Sequence, residues 1–286
     1  MTKQSSLGEL TLGIIGLGMM GGSIGLASAG IVARRLGSDS DAAATSQAVE
    51  IQAIDEAISL EEMAQRSDVI VIATPVNSVP PILATLGQLH TTAVVLDIGS
   101  VKETIVAAMD ALPASISAIG THPMCGREHA GIHAASGDLF RGAQWAVCET
   151  SRSDSRAQQV VELLIRALGG IPVAIAADSH DRVVAQTSHL PFMAGSALAR
   201  VAHDAAMSTR LFGGGLLDAI RLASGDSVMW RAVLAANRTN IVAALDAYSE
   251  ELSRAREYIV GGSEEDLAEW MSTTAEAARE VRSGVV

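Results

Sequence analysis

The chain has 286 residues, 49% of them hydrophobic and 18% charged, which suffices for one large or two modest domains with real cores and excludes a disordered chain, a fibrous repeat or a small stapled scaffold. Thirty-two acidic residues against twenty basic ones give a formal net charge of -12. Such a chain repels phosphate backbones, and its few aromatic residues are scattered without forming a stacking platform, so no nucleic acid partner is expected.

Thr11 to Ala33 runs 23 residues without a charge, the length of a membrane span or signal sequence. Seven of the 23 are glycine, and each glycine inside a helix costs about 1 kcal/mol relative to alanine, so a strand, a tight turn and a helix are predicted instead. The strand is Leu12 to Ile15 and the helix Gly22 to Ala29. Between them lies Gly16-Leu17-Gly18-Met19-Met20-Gly21. Its first glycine makes the turn, its second lets backbone approach a pyrophosphate, and its third lets helix and strand pack closely, with the helix N-terminus facing the phosphates. Asp39 closes the second predicted strand, around Leu36, eighteen residues after Gly21, where a carboxylate holds the adenosine ribose hydroxyls. Asp39 repels a 2′-phosphate, which favours NAD; Arg34, Arg35, Ser38 and Ser40 lie close in sequence and keep NADP as the alternative.

Val69 to Ala73, Val94 to Asp97 and Ile116 to Ile119 follow as short buried strands, separated by predicted helices at Ala42 to Gln52, Val79 to Leu89 and Lys102 to Leu112. Thr74 and Pro75, directly after the Val69 strand, are assigned with Gly16, Gly18, Met19, Met20, Gly21 and Asp39 to the cofactor site. Trp145 to Glu149 and Pro172 to Ala176 extend the sheet around a helix from Ser155 to Leu168. This alternation predicts an α/β fold, a Rossmann-type parallel doubly wound sheet. After about Asp178 only helical spacing remains, interrupted at Pro191 and at Gly213 to Gly215. The expected division is 1–177 for the dinucleotide-binding domain and 178–286 for an all-helical substrate and dimerisation domain. Helices apolar nearly all round must be buried, and a homodimer buries them. Two cysteines, Cys125 and Cys148, without CxxC spacing speak against a disulfide framework and a thiolate zinc site, and for a reducing cytoplasm.

Three later stretches carry chemistry. Asp97-Ile98-Gly99-Ser100-Val101-Lys102 leaves a strand at the carboxyl edge of the sheet, where ligands bind. Lys102 is notable because eighteen of the twenty basic residues are arginine and the only other lysine is Lys3. Thr121-His122-Pro123-Met124-Cys125-Gly126 follows the next strand. Ser188-His189-Leu190-Pro191-Phe192 opens a helix of the second half, with Arg221 and Trp230 beyond it. With the glycine loop, and in this order from about Gly13 to Asn237, these motifs resemble the prephenate/arogenate dehydrogenase family of tyrosine biosynthesis.

The resemblance implies a Rossmann domain with a helical dimerisation domain. It also implies NAD(P)-dependent oxidative decarboxylation of a cyclohexadienyl acid, prephenate or arogenate. His122 matches the family's catalytic histidine, which accepts the proton of the ring hydroxyl, and an ordinary histidine supplies a neutral base near physiological pH. Ser100 matches a serine that hydrogen-bonds the hydroxyl and the histidine. Arg221 matches the substrate-carboxylate arginine, whose planar fork suits bidentate binding. Trp230 and His189 line the same pocket, and Lys102 fits an ion pair behind the site.

The family commonly has a histidine where this chain has Phe192, and alanine where it has Cys125. The first departure leaves the substrate side chain open, and aminodeoxyprephenate of secondary metabolism joins prephenate and arogenate. Two other classes compete: a Rossmann dehydrogenase acting on β-hydroxyacids or imines, and a non-catalytic NAD-binding module. The first lacks the Gly-Ser-Val-Lys and His-Pro-Met-x-Gly pair, and the second has no need of Arg221. His122, Cys125, Glu128, His129 and His133 crowd into twelve residues, but Pro123 and Gly126 break the spacing, and no metal is expected. Cys125 is read as a small hydrophobe. The chain ends soon after the helical half, with no appended regulatory domain expected.

Overall fold

Continuous apolar runs such as Val69-Ile70-Val71-Ile72 suit strands covered on both faces. In the computed structural model, which describes residues 7–126 and 131–284, eight strands, the central ones of this kind, form one sheet. They are β1 (Thr11–Ile15), β2 (Arg34–Ser38), β3 (Glu56–Ala57), β4 (Val69–Ile72), β5 (Val94–Asp97), β6 (Ala118–Pro123), β7 (Gln144–Cys148) and β8 (Ile171–Ala174). Their order is β3-β2-β1-β4-β5-β6-β7-β8.

Side chains alternate across the sheet, so its two faces gather two cores. Leu12, Ile14, Val69, Val71, Val94 and Leu96 point to one, with Ile24 of α1 (Met19–Ala27), Ala48 of α2 (Ala42–Glu50) and, further along the chain, Val161 and Ile165 of a helix over Ser155–Ala167. Ile15, Ile70, Ile72 and Val95 point to the other, with Met63 of α3 (Leu60–Arg66), Leu83 of α4 (Val79–Gln88) and Ile105 of α5 (Glu103–Asp110). Each of these side chains buried in full stabilises the fold by about 1.5–3 kcal/mol relative to exposure. The Ser155–Ala167 helix, α6, crosses over from β7 to β8, and Asp154 caps it by accepting from the Ala157 N–H. The chain leaves β1 toward β2 and β3, then returns to the other side of β1 as β4. That reversal opens a crevice at the carboxyl ends of β1 and β4, where this class of sheet binds ligands.

Four features differ from the sequence reading. First, β3 and α3 were not expected, because a two-residue strand has no periodicity; α3 did carry a signal, the Ser59/Glu62 capping box. Second, β6 runs on through Thr121, His122 and Pro123, past the apolar run, because their backbones pair with β7. Third, β7 lies antiparallel to β6, with His122 opposite Ala146. A parallel return needs a crossover, usually a helix, and the described part of the connection holds only a 3-10 turn at Ile132–Ala134. Fourth, Pro191 does not interrupt its helix. α7 (Ala177–Val184) passes through a π-helical turn at Ala185–His189 straight into α8 (Leu190–Thr209). A proline in the first turn of α8 needs no N–H there, and the widened turn sits immediately before it. The break at Gly213 to Gly215 does appear. α8 ends at Arg210 in the left-handed region, and α9 (Gly214–Ile220) starts afresh.

α10 (Ser227–Ala236) is capped by Asp226 and sends Val233 into the second core. The chain divides into two compact units, Met1–Arg238 and Thr239–Val286. Most of α11 (Arg238–Gly261) and all of α12 (Glu264–Ser283) make up the second unit, and a capping box at Ser263/Asp266 opens α12. No helix among the described residues is long and apolar enough to cross a membrane.

Candidate active site

The glycine turn is built as a phosphate cradle. Gly16 has φ of 94°, which a side chain resists, and a Cβ there would also lie 2.7 Å from the Ala73 carbonyl oxygen. A Cβ on Gly21 would sit 1.8 Å from the Gly16 carbonyl oxygen, so only glycine lets α1 pack this closely. A Cβ on Gly18 would meet nothing within 4 Å. Gly18 is also the N-cap of α1 and offers no side-chain acceptor to the first N–H groups of the helix, so these face open space where a pyrophosphate fits. Met19 and Met20 form the first turn of α1. Asp39 closes the turn by accepting from the Leu17 N–H at 2.6 Å. The Thr74 hydroxyl, at the end of β4 and against Gly16, is buried with no hydrogen-bond partner among the described residues, and Pro75 follows it at the start of a 3-10 turn. This donor set fits a dinucleotide. Arg34 and Arg35 are already engaged, Arg34 with Glu56 at 2.7 Å and Arg35 with Asp55 at 2.5 Å.

Behind the next strand ends lies a buried polar network. Lys102 and Asp97 are both completely buried and form an ion pair. Lys102 Nζ also donates to the Thr121 carbonyl at 2.8 Å. Asp97 accepts from the Gly99 and Thr121 N–H groups at 2.7 and 3.1 Å. Burial pushes the Asp97 carboxyl up, against the pull of Lys102 and of these backbone donors. The network pins β5 to β6 at Thr121, the residue before His122.

His122 is half-buried on β6. Burial first, then the neighbouring His180, Lys102 and His189, hold its imidazole well below the ordinary histidine range, so it stays neutral at physiological pH. Its Nδ1 lies 2.9 Å from His180 Nε2, and His180 Nδ1 lies 2.7 Å from Asp181 Oδ1. Asn237 Nδ2 donates to the Asp181 carbonyl at 2.8 Å and reaches His189 Nδ1 at 3.2 Å. The carbonyl fixes the amide's orientation, so His189 accepts at Nδ1 and keeps its proton on Nε2. Burial lowers His189 to about 4. His189 meets Trp230 edge to face, with centroids 6.0 Å apart, and Trp230 stacks on Phe192 at 3.8 Å.

The fold thus joins His122, His189, Trp230 and Phe192 in one chain of contacts. Ser100 sits half-buried on the loop between β5 and α5, and Arg221 is exposed on the turn before α10. His180, Asp181 and Asn237 were missed in the sequence. Their signal was faint: His180 and Val184 are buried four residues apart on α7, which places a polar residue on an inward stripe. Cys125 packs against the core, and burial pushes its thiol up to about 11, which leaves it no thiolate for nucleophilic work. Glu128 and His129 lie outside the described residues, and among the described residues no three metal-ligating side chains gather.

A cradle for a pyrophosphate on the same sheet edge as a neutral histidine suits hydride removal coupled to proton removal, the work of a nicotinamide-dependent dehydrogenase. Two family models match the chain: the nucleotide-binding domain of prephenate dehydrogenase over residues 26–173, and its dimerization domain over residues 176–273. A probable prephenate dehydrogenase, NovF, of Streptomyces niveus is 34% identical over 257 residues, covering 88% of this chain and 70% of that protein. The crystal structure of Aquifex aeolicus prephenate dehydrogenase with hydroxyphenyl propionate and NAD+ superposes with a TM-score of 0.86 at 27% identity, covering 97% of this chain and all of that one. Synechocystis arogenate dehydrogenase gives 0.81 at 25% identity, covering 95% of this chain and all of that one. The chain belongs to the prephenate dehydrogenase family. It is an NAD-dependent oxidoreductase that oxidatively decarboxylates a prephenate-type cyclohexadienyl acid.

Serine in place of Asp39 is expected to raise the ratio of kcat/KM with NADP to that with NAD by about 10–100-fold, the effect of removing one like-charge contact of a few kcal/mol. Steady-state kinetics with both cofactors check this. A wild-type enzyme that already prefers NADP would show that Asp39 does not set the choice.

Proposed function

We propose that the substrate is prephenate and that His122 is the base. The observation that carries this reading is the neutral His122 imidazole at the carboxyl edge of the sheet that holds the glycine cradle. His122 Nε2 takes the proton of the ring hydroxyl while the hydrogen on the same carbon leaves with its electron pair. The bound nicotinamide supplies the acceptor for that hydride. The bond to the ring carboxylate then breaks, carbon dioxide leaves, and its electron pair makes the ring aromatic and ends on the oxygen, which takes the proton back from His122.

In this reading the Ser100 hydroxyl supports the reacting hydroxyl, and the Arg221 guanidinium holds a carboxylate as a two-pronged donor. His189 contributes its Nε2–H, and the Trp230–Phe192 stack walls the ring. Gly16, Gly18, Met19, Met20, Gly21, Asp39, Thr74 and Pro75 hold the dinucleotide. The family names of the Streptomyces and Aquifex proteins support prephenate, and the Synechocystis one keeps arogenate as a comparison.

The test follows NADH formation with prephenate, arogenate and aminodeoxyprephenate in parallel. The highest kcat/KM is expected with prephenate; a higher value with either amine would overturn the assignment.

The working division is 1–177 and 178–286, supported by the last strand ending at Ala174 and by the two family models meeting between 173 and 176. A homodimer through the helical half is supported by the name of the second family model. Apolar side chains left exposed there, such as Val201, Leu211, Ile259 and Val260, support it too. Light scattering should give the mass of two chains, and a single-chain mass would refute it. Two free thiols, Cys125 and Cys148, support a reducing compartment, the cytoplasm; a disulfide between them in protein isolated without reductant would count against it.

A further inference from the structure

We propose that His180 and Asp181 act behind His122 as a positioning pair that fixes which imidazole nitrogen is bare and holds the charge when the substrate proton arrives. The inference rests on the reading of His122 as the base.

The Asp181 carboxylate is immobilised by the start of α5. Its Oδ1 accepts from the Lys102 N–H at 2.7 Å and its Oδ2 from the Glu103 N–H at 2.9 Å. Backbone N–H groups only donate, so both oxygens act as acceptors, as an ionised carboxylate does. His180 Nδ1, 2.7 Å from Oδ1, must therefore carry a proton and donate it. A neutral His180 then has only a lone pair on Nε2. That lone pair faces His122 Nδ1 at 2.9 Å, so the proton between the two rings belongs to His122 Nδ1. With Nδ1 protonated, a neutral His122 has a bare Nε2, the form a base requires.

The order of protons is thus dictated from a carboxylate two residues of contact away. Exposures of 2% for His180 and 1% for Asp181 leave water no competing role. The other charged or titratable groups near His122 do not disturb the chain. Lys102 is held by Asp97 and the Thr121 carbonyl, and His189 is held by Asn237.

The same contacts act after proton transfer. The Nε2 lone pair of His122 forms a bond to the hydroxyl proton, and the ring becomes an imidazolium. Its Nδ1–H bond can then break toward His180 Nε2, the electron pair returning to His122, which leaves the positive charge on His180 against the Asp181 carboxylate. The sequence reverses when the aromatic product's oxygen takes the proton back, so each turnover ends with the starting tautomer.

The test combines nitrogen-15 NMR of the histidine rings with kinetics on the full chain. In the wild type, His122 should show a protonated Nδ1 and a bare Nε2. In His180→Leu that preference should be lost, and kcat should fall by about 10²–10⁴-fold, as when a catalytic histidine loses its orienting partner, with the KM for prephenate and the Kd for NAD+ little changed. His180→Gln, whose side-chain carbonyl can accept the Nδ1–H, should restore the tautomer and part of kcat. A wild-type spectrum with the proton on His122 Nε2 would overturn the proposal even if no variant folds, and so would undiminished kcat in His180→Leu. Full turnover in His122→Asn would refute the base itself, a separate failure that the tautomer measurement does not share.

Discussion

Asparagine in place of His122 is expected to lower kcat by about 10²–10⁴-fold, the usual consequence of losing a general base, while the Kd for NAD+ stays at the wild-type value. The two effects separate because His122 belongs to β6, whereas the cradle is built from Gly16, Gly18, Gly21 and Asp39 at the ends of β1 and β2. Asparagine also keeps a polar group facing His180, so folding should survive; a melting curve confirms that. The pH profile adds a second expectation. Burial and the neighbouring His180, Lys102 and His189 hold His122 well below 6.5. A base whose folded pKa is lowered stays unprotonated as pH falls, so kcat/KM should remain flat through 6.5 and decline only further into acid. Wild-type turnover in the variant, or an acid limb at or above 6.5, would remove His122 from the reaction.

The legible part of this protein was the part with periodicity. Unbroken runs such as Val94 to Asp97 told of strands covered on both faces, and the glycine spacing at Gly16, Gly18 and Gly21 told of a turn whose geometry the fold reproduces. Antiparallel β7 was not legible, because strand direction depends on the length and content of the connection and not on the strand's own residues. The continuous helix through Pro191 was not legible either, since the π-helical turn at Ala185–His189 leaves no pattern in side-chain type. At the site, His122 and His189 stood in recognisable motifs, whereas His180 and Asp181 matter only through contacts 58 residues apart in sequence or more. Lys102 lay between: its rarity marked it and its partner Asp97 stands five residues earlier in the same motif, but its second partner, the Thr121 carbonyl, is supplied only by β6 lying beside β5.

Lys102→Met is expected to destabilise the fold by about 3–5 kcal/mol, the range for removing one partner of a buried ion pair. Methionine fills much of the space of the lysine stem, so little of that loss should come from a cavity. Most comes from Asp97, which stays completely buried with two backbone N–H donors and no counter-charge, while the Thr121 carbonyl loses its Nζ donor. At about 2–4 °C per kcal/mol for a chain of this class, the melting temperature should fall by roughly 6–20 °C. The sign with pH follows from the acid. Burial already raises Asp97, and losing Lys102 raises it further. An acid whose folded pKa is raised carries no penalty below its unfolded value, and the penalty grows as pH climbs from there through the folded value. The deficit should therefore shrink between about pH 8 and pH 5. Adding Asp97→Asn removes the stranded charge, and the amide oxygen can still accept from the Gly99 N–H, at the cost of the acceptor that Oδ1 gave the Thr121 N–H. The double variant should recover most of the loss, since replacing both members of a buried pair is often close to neutral. Urea titrations of the wild type, single and double variants at both pH values decide the matter. A single variant within about 1 kcal/mol of wild type, or a double variant no more stable than the single, would show that the pair is not what holds β6 and His122 in register with β5.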